Sequence, residues 1–364
     1  MRNIHWMHRK AVARMGKLAC LALLATAGGC TSAPAPPSDE LRGPVRLVAD
    51  ADMDASMPGS VESRSFAMEI RVTVKAPAAA AARRLDVWLP VPGDDRDQTI
   101  RALRVESPWA HAMSIEPVYG GRVLHAWTDA PAATTLKVSF EATRKVVSAP
   151  RDEVRSAALD YPAARYLEPD RLGVIDAGIR RLAGEITAGK VGTEARARAI
   201  YDYVTGHMAY DKTAPGWGQG DTARACAIGK GNCTDFHALF ISLARASGIP
   251  ARFKIGYQIP TAANALHPAS LPTALTGYHC WSEFWRPKVG WVAVDCSEAW
   301  KDPSRHDFYF GNLDDNRIEM SAGRDLKLPG MRGEPLNYLL GPYAELDGKP
   351  YAGVESAVTF AVGR

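Results

Sequence analysis

The sequence predicts an α+β fold, with a β-sandwich-like domain first and then a domain in which helices and strands share a core. Three observations carry this expectation. Through residues 63–148 apolar side chains alternate with polar or small ones, the period of half-buried strands. Past Ala149-Pro150 a helical period takes over. Near residue 288 a short connection holding Pro and Gly joins two aromatic-rich strands, the mark of a hairpin. At 364 residues the chain is long enough for two such domains.

The chain opens with a basic stretch ending at Lys17, followed by an apolar run from Leu18 to Gly29. That run is well short of the ~20 residues that span a bilayer and fits a secretory leader. Ala27-Gly28-Gly29-Cys30 has the form of a bacterial lipobox, in which the Cys is acylated and becomes the new N-terminus. The expectation is a lipoprotein signal peptide over 1–29, lipidation at Cys30 and a flexible tether over 30–62, rich in Pro, Ser and Asp. The protein is then held by lipid in the bacterial cell envelope, facing the periplasm or the exterior. The formal net charge of +4 belongs to the leader. Of 44 basic side chains, Arg2, Arg9, Lys10, Arg14 and Lys17 lie there with no acid, leaving 39 against 40 acidic ones. A nucleic-acid footprint is excluded on that balance.

Phe66, Met68, Ile70, Val72 and Val74 set the first alternating strand of the accessory domain over 63–148; Leu85, Val87 and Leu89 and then Leu136, Val138 and Phe140 repeat the pattern. No chemical motif occurs there, so its expected role is structural or substrate-positioning. In the second domain, expected over 151–340, Ala197, Ile200, Tyr201 and Val204 share one face of a helix from Ala195 to Met208. A Gly-rich loop, Pro215-Gly216-Trp217-Gly218-Gln219-Gly220, follows. From about residue 305 the chain reads as mostly loop, with a C-terminal extension over 341–364 that ends in a strand at Val354–Val362.

Residues 231–252 carry the chemistry. Phe236, Leu239, Phe240 and Leu243 recur at helical spacing, and Gly248-Ile249-Pro250 stops the helix. Asn232 fits the N-cap and Asp235 the acid of a capping box. Cys233 then sits in the first turn, where unpaired N–H groups favour a thiolate. Taken alone, such a cysteine is as readily a packing residue as a nucleophile. The hairpin decides. Folded about Lys288, it places His279, Trp281, Asp295 and Ser297 on one face, with His279 diagonal to Asp295. An imidazole oriented by a carboxylate and facing a thiol is the geometry of thiol acyl transfer.

These segments resemble bacterial members of the transglutaminase-like superfamily. The family pattern is a Gly-x-Cys helix ending Arg-Ala-x-Gly-Ile-Pro-Ala-Arg, then His-x-Trp-x-Glu, then Gly-Trp-x-x-x-Asp. Here it reads Gly231-Asn232-Cys233, Arg245 to Arg252, His279-Cys280-Trp281-Ser282-Glu283, and Gly290-Trp291 to Asp295. The resemblance covers about 195–300. It implies a papain-like core with Cys233 as nucleophile, His279 as base and then acid, and Asp295 orienting the imidazole. It further implies attack on a carboxamide or peptide carbonyl to leave a thioester, which water or a lysine amine resolves. For the oxyanion, the Cys233 N–H is one candidate, and Trp217 or Gln219 is the second. Glu283, on the same side of its strand as His279, is open to two readings: an acid behind the triad or a structural carboxylate.

The expected function is therefore an extracytoplasmic cysteine enzyme acting on amide or peptide bonds of an envelope protein or peptide, with hydrolysis ahead of cross-linking. The alternative is a low-turnover envelope scaffold. No cofactor is expected. Cys226, Cys233, His237, His279, Cys280 and Cys296 lack the short Cys-x-x-Cys spacing of structural zinc, so no metal is expected either, and His237 reads as a helix-face residue. The symmetric hairpin also sets Cys280 opposite Cys296, on the face away from the triad, at a separation that suits a disulfide in an oxidising compartment.

Overall fold

The computed structural model describes residues 63–78, 82–148, 164–259, 273–275 and 277–362. The leader, Cys30, the tether and the junction at residues 149–150 lie outside the described residues. Two five-stranded antiparallel sheets face each other in a sandwich. One joins β1 (Ser63–Val74), β3 (Gln98–Glu106) and β6 (Thr134–Lys145) with β11 (Thr273–Leu275) and β18 (Val354–Val362), in the order β11-β18-β1-β6-β3. The other joins β2 (Leu85–Val91), β4 (Ala110–Ile115), β5 (Arg122–Thr128), β16 (Tyr343–Leu346) and β17 (Lys349–Pro350), in the order β17-β16-β2-β5-β4. The alternation read from β1 is the buried face: Phe66, Met68, Ile70, Val72 and Val74 are all buried, and Ile70 stands between Val138 of β6 and Val358 of β18. The C-terminal residues thus complete both sheets of the N-terminal sandwich, and β11, from just ahead of the hairpin, extends one of them.

The second domain is built round one helix. α1 (Ala177–Thr187), α2 (Thr193–His207) and α3 (Thr222–Ile228) surround α4 (Cys233–Ala246). α2 buries Ala197, Ile200, Tyr201 and Val204, the face its sequence presents. α4 differs from the amphipathic helix its period suggests, because every residue from Cys233 to Arg245 is buried. Its polar members survive burial by being paired. Ser242 Oγ meets Thr222 Oγ1 at 2.8 Å, and Arg245 reaches Asp170 Oδ2 at 2.8 Å and the Ala251 carbonyl at 3.0 Å.

Behind α4 lies a four-stranded antiparallel sheet of β10 (Ala251–Gln258), β12 (Tyr278–Arg286), β13 (Gly290–Val294) and β15 (Arg317–Ala322), in the order β13-β12-β10-β15. Its other face meets the sandwich: Gln98 of β3 exchanges hydrogen bonds with the Glu319 backbone, and Arg64 of β1 pairs with Asp315 at 2.9 Å. β15 falls in the stretch read as loop. It covers only six residues, and charged Arg317 is buried along with the apolar positions while Glu319 is half-buried.

The hairpin has the expected register, with Ser282 opposite Val294 and Arg286 opposite Gly290. The ladder stops there. Asp295 leaves the strand to cap α5 (Cys296–Lys301), so Cys296 turns into a helix before it can face Cys280. The expected Cys280–Cys296 disulfide is accordingly absent: Cys233, Cys280 and Cys296 are all free thiols. Cys280 is also not remote from Cys233, since α4 packs across that face of β12.

Candidate active site

The site is assembled at the start of α4. Thr234 N–H donates to Asn232 Oδ1 at 2.9 Å and Asn232 N–H to Asp235 Oδ2 at 3.0 Å, the expected capping box. A Cβ on Gly231 would lie 2.3 Å from Asp235 Oδ2, so the glycine of Gly-x-Cys is what admits the capping carboxylate. Asp235 also receives the N–H groups of Gly218 (2.7 Å) and Gly220 (3.0 Å), which fastens the Gly-rich loop beside the helix start. That loop flanks Asn232 and carries Trp217 and Gln219. Trp217 is half-buried, and the Gln219 carbonyl accepts from Arg324 Nη2 and Asn337 Nδ2, each at 2.8 Å.

The structure brings Cys233, His279 and Asp295 together, each almost wholly buried. His279 Nε2 donates to Asp295 Oδ2 at 2.7 Å, and the imidazole and the Cys233 thiol act on each other, each shifting the other's pKa. With Nε2 given to Asp295, Nδ1 is the nitrogen left to exchange a proton with the thiol. Asp295 has all four of its acceptor positions filled: Oδ1 takes Ser297 Oγ (3.1 Å) and Glu298 N–H (3.0 Å), and Oδ2 takes His279 and Arg317 Nη1 (2.8 Å). A carboxylate so satisfied stays ionised in spite of burial. Burial raises the Asp295 pKa, but the His279 charge and the other donors hold it well below the usual range.

The thiol and imidazole are shifted toward an ion pair. A hydrogen bond with Cys280 and then the bond and charge of His279 hold Cys233 well below the ordinary thiol range, against burial. Burial pulls His279 down, but the Asp295 charge and hydrogen bond and the Cys233 bond outweigh it and raise the imidazole to about 9. The arrangement can hold a thiolate beside an imidazolium at neutral pH.

Four residues at the site escaped sequence reasoning. His237 Nδ1 donates to the Cys233 carbonyl at 2.7 Å and Nε2 accepts Cys296 N–H at 3.1 Å, which ties the nucleophile's helix to α5. Its spacing of four from Cys233 was the available signal. Cys280 Sγ lies 3.6 Å from Thr234 Oγ1 and 3.8 Å from His237 Nδ1. Tyr278 OH accepts from Asn232 Nδ2 at 2.7 Å. Arg317 is the fourth, and nothing in its local sequence marks it. Glu283, of the two readings left open, takes the structural one: it pairs with Arg252 Nε at 2.5 Å across β10 and β12 and also feels Lys254 and Arg144. Among the described residues no group of three His, Cys, Asp or Glu side chains is disposed to hold a metal ion.

Comparison with known proteins agrees with this geometry. Residues 180–296 match the family model of the transglutaminase-like superfamily. An uncharacterized protein of Haemophilus influenzae is 26% identical over 300 residues, covering 73% of this chain and 81% of that protein. A stretch of 67 residues is 36% identical to a protein-glutamine gamma-glutamyltransferase of Pseudomonas aeruginosa, 18% of this chain and 9% of that one. Among solved structures, a protein described as a candidate cysteine protease from Cytophaga hutchinsonii shares the fold with a TM-score of 0.54 at 17% identity, covering 84% of this chain and 92% of that one. The α+β class with a papain-like core, expected from the sequence, is the fold found.

Proposed function

We propose that this chain, whose residues 180–296 form a transglutaminase-like domain, is a cysteine-dependent amide hydrolase working through a thioester. One observation carries the reading: His279 is hydrogen-bonded to Asp295 at 2.7 Å, and the same imidazole draws down the pKa of a buried thiol at a capped helix start. The Cys233 thiolate attacks the carbonyl carbon of an amide, and the developing oxyanion is met by the Cys233 N–H, which has no partner within the helix. The second donor comes from Trp217 or Gln219 in the fastened loop. Collapse expels the amine, which takes the proton from His279 Nδ1, and a thioester remains. Water then gives its proton to the same nitrogen, attacks the thioester and releases the acid and the thiolate. A lysine amine in place of water would yield a cross-link instead.

Hydrolysis is favoured because Cys233, His279 and Asp295 are almost wholly buried and water is the smallest nucleophile to reach them. The substrate class is an amide or peptide of an envelope protein. The envelope location rests on the leader and the Cys30 lipobox; among the described residues no helix is long and apolar enough to cross a membrane. Detergent partition of the full chain, lost in Cys30→Ser, tests the anchor. For the chemistry, a panel of peptide chloromethylketones followed by peptide mapping should label Cys233, and Cys233→Ala should abolish both labelling and turnover with the fold retained. A variant that keeps near wild-type turnover removes Cys233 from the mechanism.

A further inference from the structure

Arg317 opens β15, beyond the segment matched to the family, and its side chain is wholly buried. A glycine puts it there. Gly256 of β10 is paired with His279 on one side and Glu319 on the other, and a Cβ at Gly256 would lie 1.9 Å from the Ile318 carbonyl oxygen. Without that close approach β15 could not bring its first residue under Asp295. Arg317 Nη1 donates to Asp295 Oδ2 at 2.8 Å, the same oxygen that receives His279 Nε2 at 2.7 Å. Its Nε and Nη2 have no hydrogen-bond partner among the described residues, and the guanidinium lies 5.5 Å from the centroid of the Trp281 ring. A buried cation with unmet donors is costly, and an apolar residue would fill the space more cheaply. Packing is therefore a poor account of it.

We propose that Arg317 is a positioning residue of this site: its guanidinium fixes the Asp295 carboxylate by the oxygen that holds His279, and so fixes the imidazole that faces Cys233. The inference rests on the reading of Cys233 as nucleophile. The charges around the pair explain what the cation adds. From α4, Cys233 and His237 face it, with His237 Nε2 3.5 Å from Asp295 Oδ1. From β12 comes Cys280. From α5 comes Glu298, 4.0 Å from His279 Nε2 and itself bound to Lys301 at 3.0 Å. From the turn before β15, Asp314 acts on Arg317 but is held by Arg305 and Tyr309. The set balances as three pairs: Arg317 with Asp295, His279 with Cys233, and Lys301 with Glu298. Without Arg317, the uncompensated carboxylate would grip the imidazolium proton that the leaving amine must receive.

The test reads Cys233 directly and needs no substrate. The rate of its alkylation by iodoacetamide, followed by peptide mapping from about pH 4 to about pH 11, should show an early rise as the thiolate forms and a second near pH 9 as His279 loses its proton. Arg317→Met should move the second rise up by about one pH unit, a tenfold tighter hold on the proton, and Arg317→Lys should fall between. The effect should shrink in the Asp295→Asn background, where only the direct action of the Arg317 charge on the imidazole remains between Asp295→Asn and Asp295→Asn/Arg317→Met. That double variant removes both buried charges and keeps the comparison available if Arg317→Met alone does not fold. A folded Arg317→Met with its second rise unmoved, or a shift as large in the Asp295→Asn background as in the wild type, overturns the proposal. A wild-type Cys233 lacking the early rise would instead overturn the nucleophile reading on which it stands.

Discussion

In β1 every second side chain from Phe66 to Val74 is buried and apolar, while the residues between are exposed or half-exposed. In β12 burial runs unbroken from His279 through Ser282, and the buried set includes an imidazole, a thiol and a hydroxyl. Both strands are central to their sheets. The difference lies in what covers them. β1 has one face on the sandwich core, whereas β12 lies between α4 and the sandwich, with Trp281 packed against Val147 and Leu313 on one side and Phe284 against Phe240 on the other. A half-buried strand declares its face by alternation; a strand covered on both faces conceals which of its polar residues are chemical. The sandwich is held by area, and the site by complete pairing of a few polar groups.

The contrast is sharpest in kinetics. His279→Ala should lower turnover by about 10²–10⁴-fold, since the loss falls on proton transfer, and should also lower the melting temperature, since buried Asp295 loses its partner. In the wild type, turnover should fall as pH rises through about 9, where His279 loses its proton and the amine its acid. The sign for stability is the same: the His279 pKa lies above its ordinary 6.5, so its contribution is fully present below that value and is lost as pH rises through about 9. A turnover profile flat past pH 10 would remove His279 as the acid.

The opposite result is expected in the sandwich. Ile70→Ala should cost about 2–5 kcal/mol of stability by opening a cavity between Val138 and Val358, and leave kcat of the folded fraction unchanged. Denaturant unfolding and turnover on the same sample measure both; a fall in kcat without unfolding would mean that the sandwich acts on the site. The smallest effect should be at Glu283→Gln, which weakens a partly buried pair with Arg252 by about 1 kcal/mol and spares turnover. A loss of turnover there larger than the loss of stability would restore Glu283 to the chemistry.

Local rules were legible in the sequence. The strand period of β1 and β6, the helix face of α2, the Asn232–Asp235 cap that sets Cys233 in a first turn, and the hairpin register about Lys288 all depend on residues within a few positions of one another, where dihedral preference and side-chain period decide the outcome. The reach of that register was not legible. Whether the ladder runs on to Cys296 or ends at Val294 depends on Asp295 finding a helix to cap and His279 and Arg317 to bind, and these come from other parts of the chain. Hence the disulfide expected from symmetry gave way to three free thiols, with Cys280 turned toward the nucleophile. His237 read as a helix-face residue with no ligand role, yet α4 is buried from Cys233 to Arg245 and His237 bonds to both Cys233 and Cys296. Arg317 sits in a stretch that reads as loop, and the C-terminal strand pairs with β1 across 280 to 296 positions of sequence. Such contacts are set by burial and charge balance among distant segments, quantities that no window of sequence contains, so only the tertiary structure decided them.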